Sequence, residues 1–270
     1  MWRIYLIIDF HTHTFPETIA AYALKKLTDL GKIKPFGLAT EKDLSEKMLD
    51  AGIDKSVILN IATKVEQVEV INRYCINKEN DSLIFFGAMH QDYANYSEEV
   101  NFLYKNGIKG IKMHPEFQGF FPSDKKLYPL YKALSDNAMI IVFHSGKEEF
   151  FEKDEYFSHP KHFAAIHEDF PDLKMVLAHF GAHGMFEEAK ELIFGKKIFV
   201  DISFDLTKNN ISLLNQLLQF HSEDYILYGS DWPWRDLKEY FHLVESADIS
   251  KTVLSKILGD NARKLLALKV

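Results

Sequence analysis

The chain has 270 residues, a length that suits one large domain, and 47% of them are hydrophobic, which is ample for a buried core. Its net charge of −7 argues against nucleic acid as the main partner, because such a binding face normally clusters Lys and Arg. Cys75 is the only cysteine, which excludes both an intramolecular disulfide and a thiolate metal cluster.

In chain order, the apolar start at residues 2–8 is too short for a membrane span and lacks a signal-peptide cleavage pattern. The expectation is a cytoplasmic protein with no membrane partner. Short apolar runs rich in Ile, Val and Phe then recur at residues 4–10, 57–61, 83–88, 108–113, 139–143, 174–178, 198–202 and 225–228. Nearly continuous apolar character is what strands covered on both faces require. Amphipathic segments separate them. Leu44, Met48 and Leu49 show helical spacing among Glu46, Lys47 and Asp50, and the pattern stops at Gly52. Leu127, Leu130, Tyr131 and Leu134 repeat it before the fifth strand, and residues 248–268 read as two closing helices joined near Gly259.

About eight strand–helix units predict an α/β protein of the (β/α)8 TIM-barrel type. A doubly wound open sheet is the alternative. It is weakened because no G-x-G-x-x-G turn follows the first strand and no G-x-x-x-x-G-K-[ST] loop occurs. No linker rich in Pro, Gly or Ser divides the chain, so residues 1–270 are expected to form a single domain.

In such a barrel the working residues project from the C-terminal ends of strands. Here strand one ends in Asp9-Phe10-His11-Thr12-His13 and strand four in Lys112-Met113-His114-Pro115. Strand five ends in His144-Ser145-Gly146, strand six in His179-Phe180-Gly181, and strand eight in Gly229-Ser230-Asp231-Trp232-Pro233. His11 and His13 are two apart, so on a strand both point to one face. With His144 and Asp231 they make a set of three nitrogens and one oxygen. That set suits one divalent metal, Zn2+ first, with Mn2+, Fe2+ or Co2+ as other occupants. An isolated H-x-H occurs by chance, but His and Asp at four strand ends together are hard to explain that way.

These pieces resemble the amidohydrolase superfamily, and within it the amidohydrolase-2 branch that includes the aminocarboxymuconate-semialdehyde decarboxylase relatives. The motifs run in family order from residue 8 to residue 266, where residues 257–266 resemble the family's final helix. The resemblance implies a TIM barrel with a metal held by His11, His13, His144 and Asp231. It implies that His179 acts as acid/base or oxyanion stabiliser, with ligation of a second metal as the lesser option. Lys112 and Glu116 are candidates for a ligand bridging two metals, though Lys112 and His114 could instead line a substrate pocket; a mononuclear site is expected. Trp232 could wall the site and Arg235 could receive an anionic group of a small-molecule substrate. Phe15 and Trp234 are further pocket candidates, and His90 is expected at the surface or behind the site.

The leading expectation is hydrolysis of a C–N or C–O bond in an amide, cyclic amide, ester or lactone by metal-activated water, with Asp231 taking the proton. The alternative is non-oxidative decarboxylation of a small carboxylated substrate, which the same ligands would serve. A catalytically inert scaffold and a phosphoesterase are weaker readings: every expected ligand type is present, and no phosphate cradle is evident. The aromatic segment with Phe150, Phe151, Tyr156 and Phe157 suggests a lid or the contact of a homodimer.

Overall fold

The computed structural model describes residues 6–78, 80–148 and 155–269. Phe150 and Phe151 of the aromatic segment, and the start of the first predicted strand, lie outside them.

All eight predicted strands are present: β1 (Ile8–Thr12), β2 (Lys55–Leu59), β3 (Leu83–Ala88), β4 (Gly110–Met113), β5 (Ile140–Phe143), β6 (Lys174–Leu177), β7 (Phe199–Asp201) and β8 (Ile226–Leu227). They form one sheet in sequential order, β1 to β8, with helices between successive strands. The paired strands of each register are parallel. β4 and β5 are buried along their whole length; β5 is wholly apolar, and β4 buries Lys112 among apolar neighbours. The described residues divide into two compact units. The first holds residues 1–58, 80–84 and 201–270; the second holds 59–79 and 85–200.

In the first unit β8 lies along β1. Phe10 N donates to Tyr228 O, Asp231 N to His11 O and His13 N to Trp232 O, each at 2.8 Å. The helix Glu41–Ala51 covers this unit with Leu44, Met48 and Ala51 buried at helical spacing. Thr40 caps it by accepting from Asp43 N at 3.2 Å, and Gly52 ends it with φ +72°. Leu49 departs from the sequence reading: it is 85% exposed, because the buried stripe passes through its neighbour Met48.

The C-terminal stretch holds the expected two helices joined near Gly259, and the join is a continuous π-helical turn. The helix Lys251–Ser255 runs through a π-helical turn, Lys256–Asp260, directly into the helix Asn261–Leu265. The widened turn leaves the Ile257 carbonyl to accept from Tyr228 N at 2.8 Å. Asn261 Nδ2 donates to Ile226 O at 2.8 Å and to Glu223 O at 2.7 Å, so this turn anchors β8. Gly259 is needed for close approach and not for a break: a Cβ there would sit 1.8 Å from the Leu6 carbonyl oxygen.

In the second unit β3 to β7 lie side by side, and β4 and β5 pair with Met113 opposite Phe143. The helix Tyr128–Asp136 buries Leu130, Tyr131, Ala133 and Leu134, close to the predicted set. No helix among the described residues is long and apolar enough to cross a membrane.

Because backbone stands where a Gly259 side chain would go, Gly259→Ala is expected to destabilise the protein by about 3 kcal/mol. In thermal denaturation that corresponds to a fall in Tm of about 6–12 °C. An unchanged Tm would show that the turn yields without cost.

Candidate metal centre

In the first unit the ladder between β1 and β8 carries three electron-rich atoms to one point. His11 Nε2 and His13 Nε2 are 3.2 Å apart. Asp231 Oδ1 lies 3.4 Å from the first and 3.2 Å from the second. His11 is buried, Asp231 nearly so, and His13 is partly exposed. Asp231 adopts φ +68°, a left-handed conformation that Asp tolerates better than most residues and that turns its carboxylate toward the two imidazoles.

The protonation of His11 follows from its other nitrogen. Nδ1 lies 2.8 Å from Asp201 Oδ2, and a carboxylate accepts, so Nδ1 carries the proton and Nε2 presents a lone pair. Asp201 is fully buried at the end of β7. Its Oδ1 accepts from the amide of Ser203 at 3.1 Å and from the Ser203 hydroxyl. Asp9 Oδ1 accepts from His11 N at 3.1 Å and Ser230 N at 2.9 Å, tying β1 to the β8 turn. Burial pushes the Asp9 carboxyl up to about 7, against the lowering effect of those hydrogen bonds. Gly229 gives His11 room, since a Cβ on it would lie 2.8 Å from His11 Cβ.

With a lone pair on each of the three atoms, a cation among them would relieve their repulsion at 3.2–3.4 Å. Bonds of about 2.0–2.1 Å in a tetrahedral zinc site place neighbouring ligand atoms about 3.3 Å apart, so the spacing fits a divalent transition metal. His11, His13 and Asp231 accordingly form a group able to hold one.

The remaining predicted residues of the first unit sit on the β8 turn. Trp232 is buried, with its indole where a Gly37 side chain would be. Arg235 Nε donates to Phe204 O at 2.7 Å, and its guanidinium lies 4.1 Å from the Phe204 ring centre. Phe15 and Trp234 are partly exposed.

In the second unit Lys112, His114, His144 and His179 are all buried. The rings of His114 and His144 stack at 4.1 Å, and His144 and His179 meet edge-on at 5.0 Å. Burial, reinforced by His114, Lys112 and His183, holds His144 well below the usual histidine value despite the opposing Glu148. His114, His144 and Glu148 form another group of metal-compatible spacing. Glu116 instead anchors a loop: its Oε1 accepts from Ser158 N at 3.0 Å and Ser158 Oγ at 2.9 Å. His90 is buried and not at the surface, accepting at Nδ1 from Asp92 N at 3.2 Å, and burial lowers its pKa.

Sequence reasoning missed Asp201, Ser203, Gln118 and Glu148. The signal for the first two was available in Asp201-Ile202-Ser203, polar residues alternating at the end of an apolar strand. Gln118 offers none. It accepts from His114 N at 2.8 Å and donates to Ala62 O and Met89 O, each at 2.7 Å, contacts that only the fold brings together.

A family model described as amidohydrolase matches residues 8–268. No curated protein matches the sequence. Among solved structures, the chain is similar to a TIM-barrel protein from Bordetella bronchiseptica, at 21% identity and TM-score 0.71, over 97% of this chain and 98% of that one. It is similar to 5-carboxyvanillate decarboxylase from Sphingomonas paucimobilis at 11% identity and TM-score 0.75, over 98% and 99% of the two chains. It is also similar to the Novosphingobium aromaticivorans 5-carboxyvanillate decarboxylase, solved with manganese and 3-methoxy-4-hydroxy-5-nitrobenzoic acid. That match has 15% identity and TM-score 0.72 over 98% of each chain. These likenesses show the fold, a TIM barrel.

Asp201→Asn would turn an amide N–H toward the Nδ1 proton of His11 and favour the tautomer with its proton among the ligand atoms. Metal affinity, measured by titration with Mn2+ or Zn2+, is expected to fall about 10–100-fold while the fold is retained. Unchanged affinity would remove Asp201 from the account.

Proposed function

We infer, from the premise that this chain belongs to the amidohydrolase-2 family, that it is a metal-dependent decarboxylase acting without redox change on a small carboxylated substrate. The observation that carries the metal dependence is the convergence of His11 Nε2, His13 Nε2 and Asp231 Oδ1 within 3.4 Å. Those three residues would hold the ion, manganese or zinc. When bound, it supplies positive charge that stabilises an anionic oxygen of the substrate.

The preference for decarboxylation over hydrolysis is supported by the similar solved structures whose activity is named. They include decarboxylases of 5-carboxyvanillate and 2,6-dihydroxybenzoate. Arg235 supports the same preference. Its Nε bond and its seat over Phe204 fix the guanidinium plane, and its two Nη groups suit the bidentate recognition of a carboxylate. In the reaction the bond between the ring carbon and the carboxyl breaks, its electron pair stays on carbon, and a proton replaces CO2 there. Asp231 is the group assigned to that proton. Hydrolysis is the second reading, favoured by the family's description and by the ability of Asp231 to accept a proton as well as to give one.

The test is CO2 release from 5-carboxyvanillate, 2,6-dihydroxybenzoate and related hydroxybenzoates by manganese-loaded protein, beside a panel of esters, lactones and cyclic amides. Release of CO2 that falls by about 10²–10⁴-fold in Asp231→Asn is expected. Turnover of an ester, lactone or amide with no CO2 from any acid would transfer the conclusion to hydrolysis.

A further inference from the structure

In the second unit the ladder between β5 and β6 is interrupted beyond the strand ends and then resumes. Phe143 O accepts from Ala178 N at 3.0 Å, and Ser145 O accepts from His183 N at 2.8 Å. Gly146 and His183 then form a parallel bridge, with Lys147 N donating to His183 O at 2.8 Å. Between the rungs at Phe143 and Ser145 the β5 side passes through His144 alone, while the β6 side makes an excursion over residues 179–182.

The excursion has an unusual backbone. His179, Phe180 and Gly181 adopt φ of +57°, +57° and +81°, three left-handed residues in succession. Glycine takes this conformation freely, but in His and Phe the Cβ crowds the following carbonyl. Such a run persists only where its surroundings hold it. Ala182 N closes the turn on His179 O at 3.0 Å, and the Phe180 side chain is buried. A Cβ on Gly181 would lie 3.1 Å from Val200 Cγ1, so the turn sits close against β7. The remaining tie comes from the β5 side. Ser145 is fully buried, and its hydroxyl donates to the carbonyl of Gly181. Gly181 is itself buried, so loss of the hydroxyl would take this partner from a carbonyl held away from water.

The excursion begins at His179, the group expected to act as acid/base or oxyanion stabiliser, whose ring meets His144 edge-on at 5.0 Å. The left-handed φ of His179 sets the direction in which its side chain leaves the chain; relaxation to negative φ would aim the ring elsewhere. We propose that Ser145 is a positioning residue: by holding the Gly181 carbonyl it keeps the left-handed turn, and the turn keeps His179 in place beside His144. The proposal deepens the reading of a metal-dependent enzyme and rests on it for the kinetic measurement alone, since the position of His179 can be seen without turnover.

The test combines crystal structures of manganese-loaded wild type and Ser145→Ala with turnover of Ser145→Ala, His179→Gln and the double variant. Each protein is first checked for a folded Tm. In the Ser145→Ala structure, His179 is expected to leave the positive-φ region and its ring to shift by about 1 Å or more, a displacement that can cost about 100-fold in rate. With whichever acid, ester, lactone or amide wild type turns over, kcat should fall about 10–100-fold in Ser145→Ala with KM little changed. Added to His179→Gln, the same substitution should cost no more than about 2-fold, because residues that act as a unit are not additive. Ser145→Cys, which replaces the hydroxyl by a weaker donor, should show the same losses in smaller measure and serves if Ser145→Ala does not fold. An unmoved His179 in the variant structure would overturn the proposal, as would a full loss of kcat on top of His179→Gln. Absence of CO2 release from wild type, with His179 displaced in the variant structure, would count against the decarboxylase reading alone.

Discussion

Three electron-rich atoms lie within 3.4 Å of one another on backbone segments that are hydrogen-bonded together. His11 and His13 stand on one face of β1, and Asp231 is delivered by the turn after β8. The hydrogen bonds from Asp231 N to His11 O and from His13 N to Trp232 O join the same strand ends that carry these atoms. The surrounding details follow from that constraint: the left-handed Asp231, the missing side chain at Gly229, and the Asp201 carboxylate that keeps the His11 proton on the far nitrogen.

The support extends behind the strands. β8 is only two residues long, too short to fix its own position by strand pairing alone. The π-helical turn at Lys256–Asp260 compensates, since the Ile257 carbonyl and the Asn261 side chain take up backbone groups at both ends of β8. Gly259 allows that turn to press against Leu6. A feature that reads in sequence as the join of two closing helices is thus part of the scaffold that positions Asp231. In the second unit the same strand logic has another product: parallel strands in matching register put His114 and His144 into a stack.

Much of this was legible in the chain. Strand existence was readable from apolar runs, because strands covered on both faces keep few polar positions, and all eight were found. His11 and His13 were legible for the same reason: a period of two fixes their common face. The meeting of those two with Asp231 was readable from their place at strand ends. Asp201 was not, because it lies inside the span read as the seventh strand, where a single carboxylate looks like an interruption and not a partner. The pairing of His114 with His144 needed the register of β4 against β5, and a shift of one residue would have turned one ring away. Leu49 failed for a local reason, since the buried stripe of its helix runs through Leu44, Met48 and Ala51 and leaves Leu49 beside it.

The claim on which the account turns is that His11, His13 and Asp231 are ligands of one divalent ion. Elemental analysis of wild type, His11→Ala and Asp231→Ala, purified in parallel and each checked for a folded Tm, tests it most directly. The account expects manganese, zinc or a related metal in wild type and loss of about one equivalent per chain in both variants. Variants that keep the wild-type metal content, or a wild-type protein that takes up none when supplied with Mn2+ or Zn2+, would contradict it.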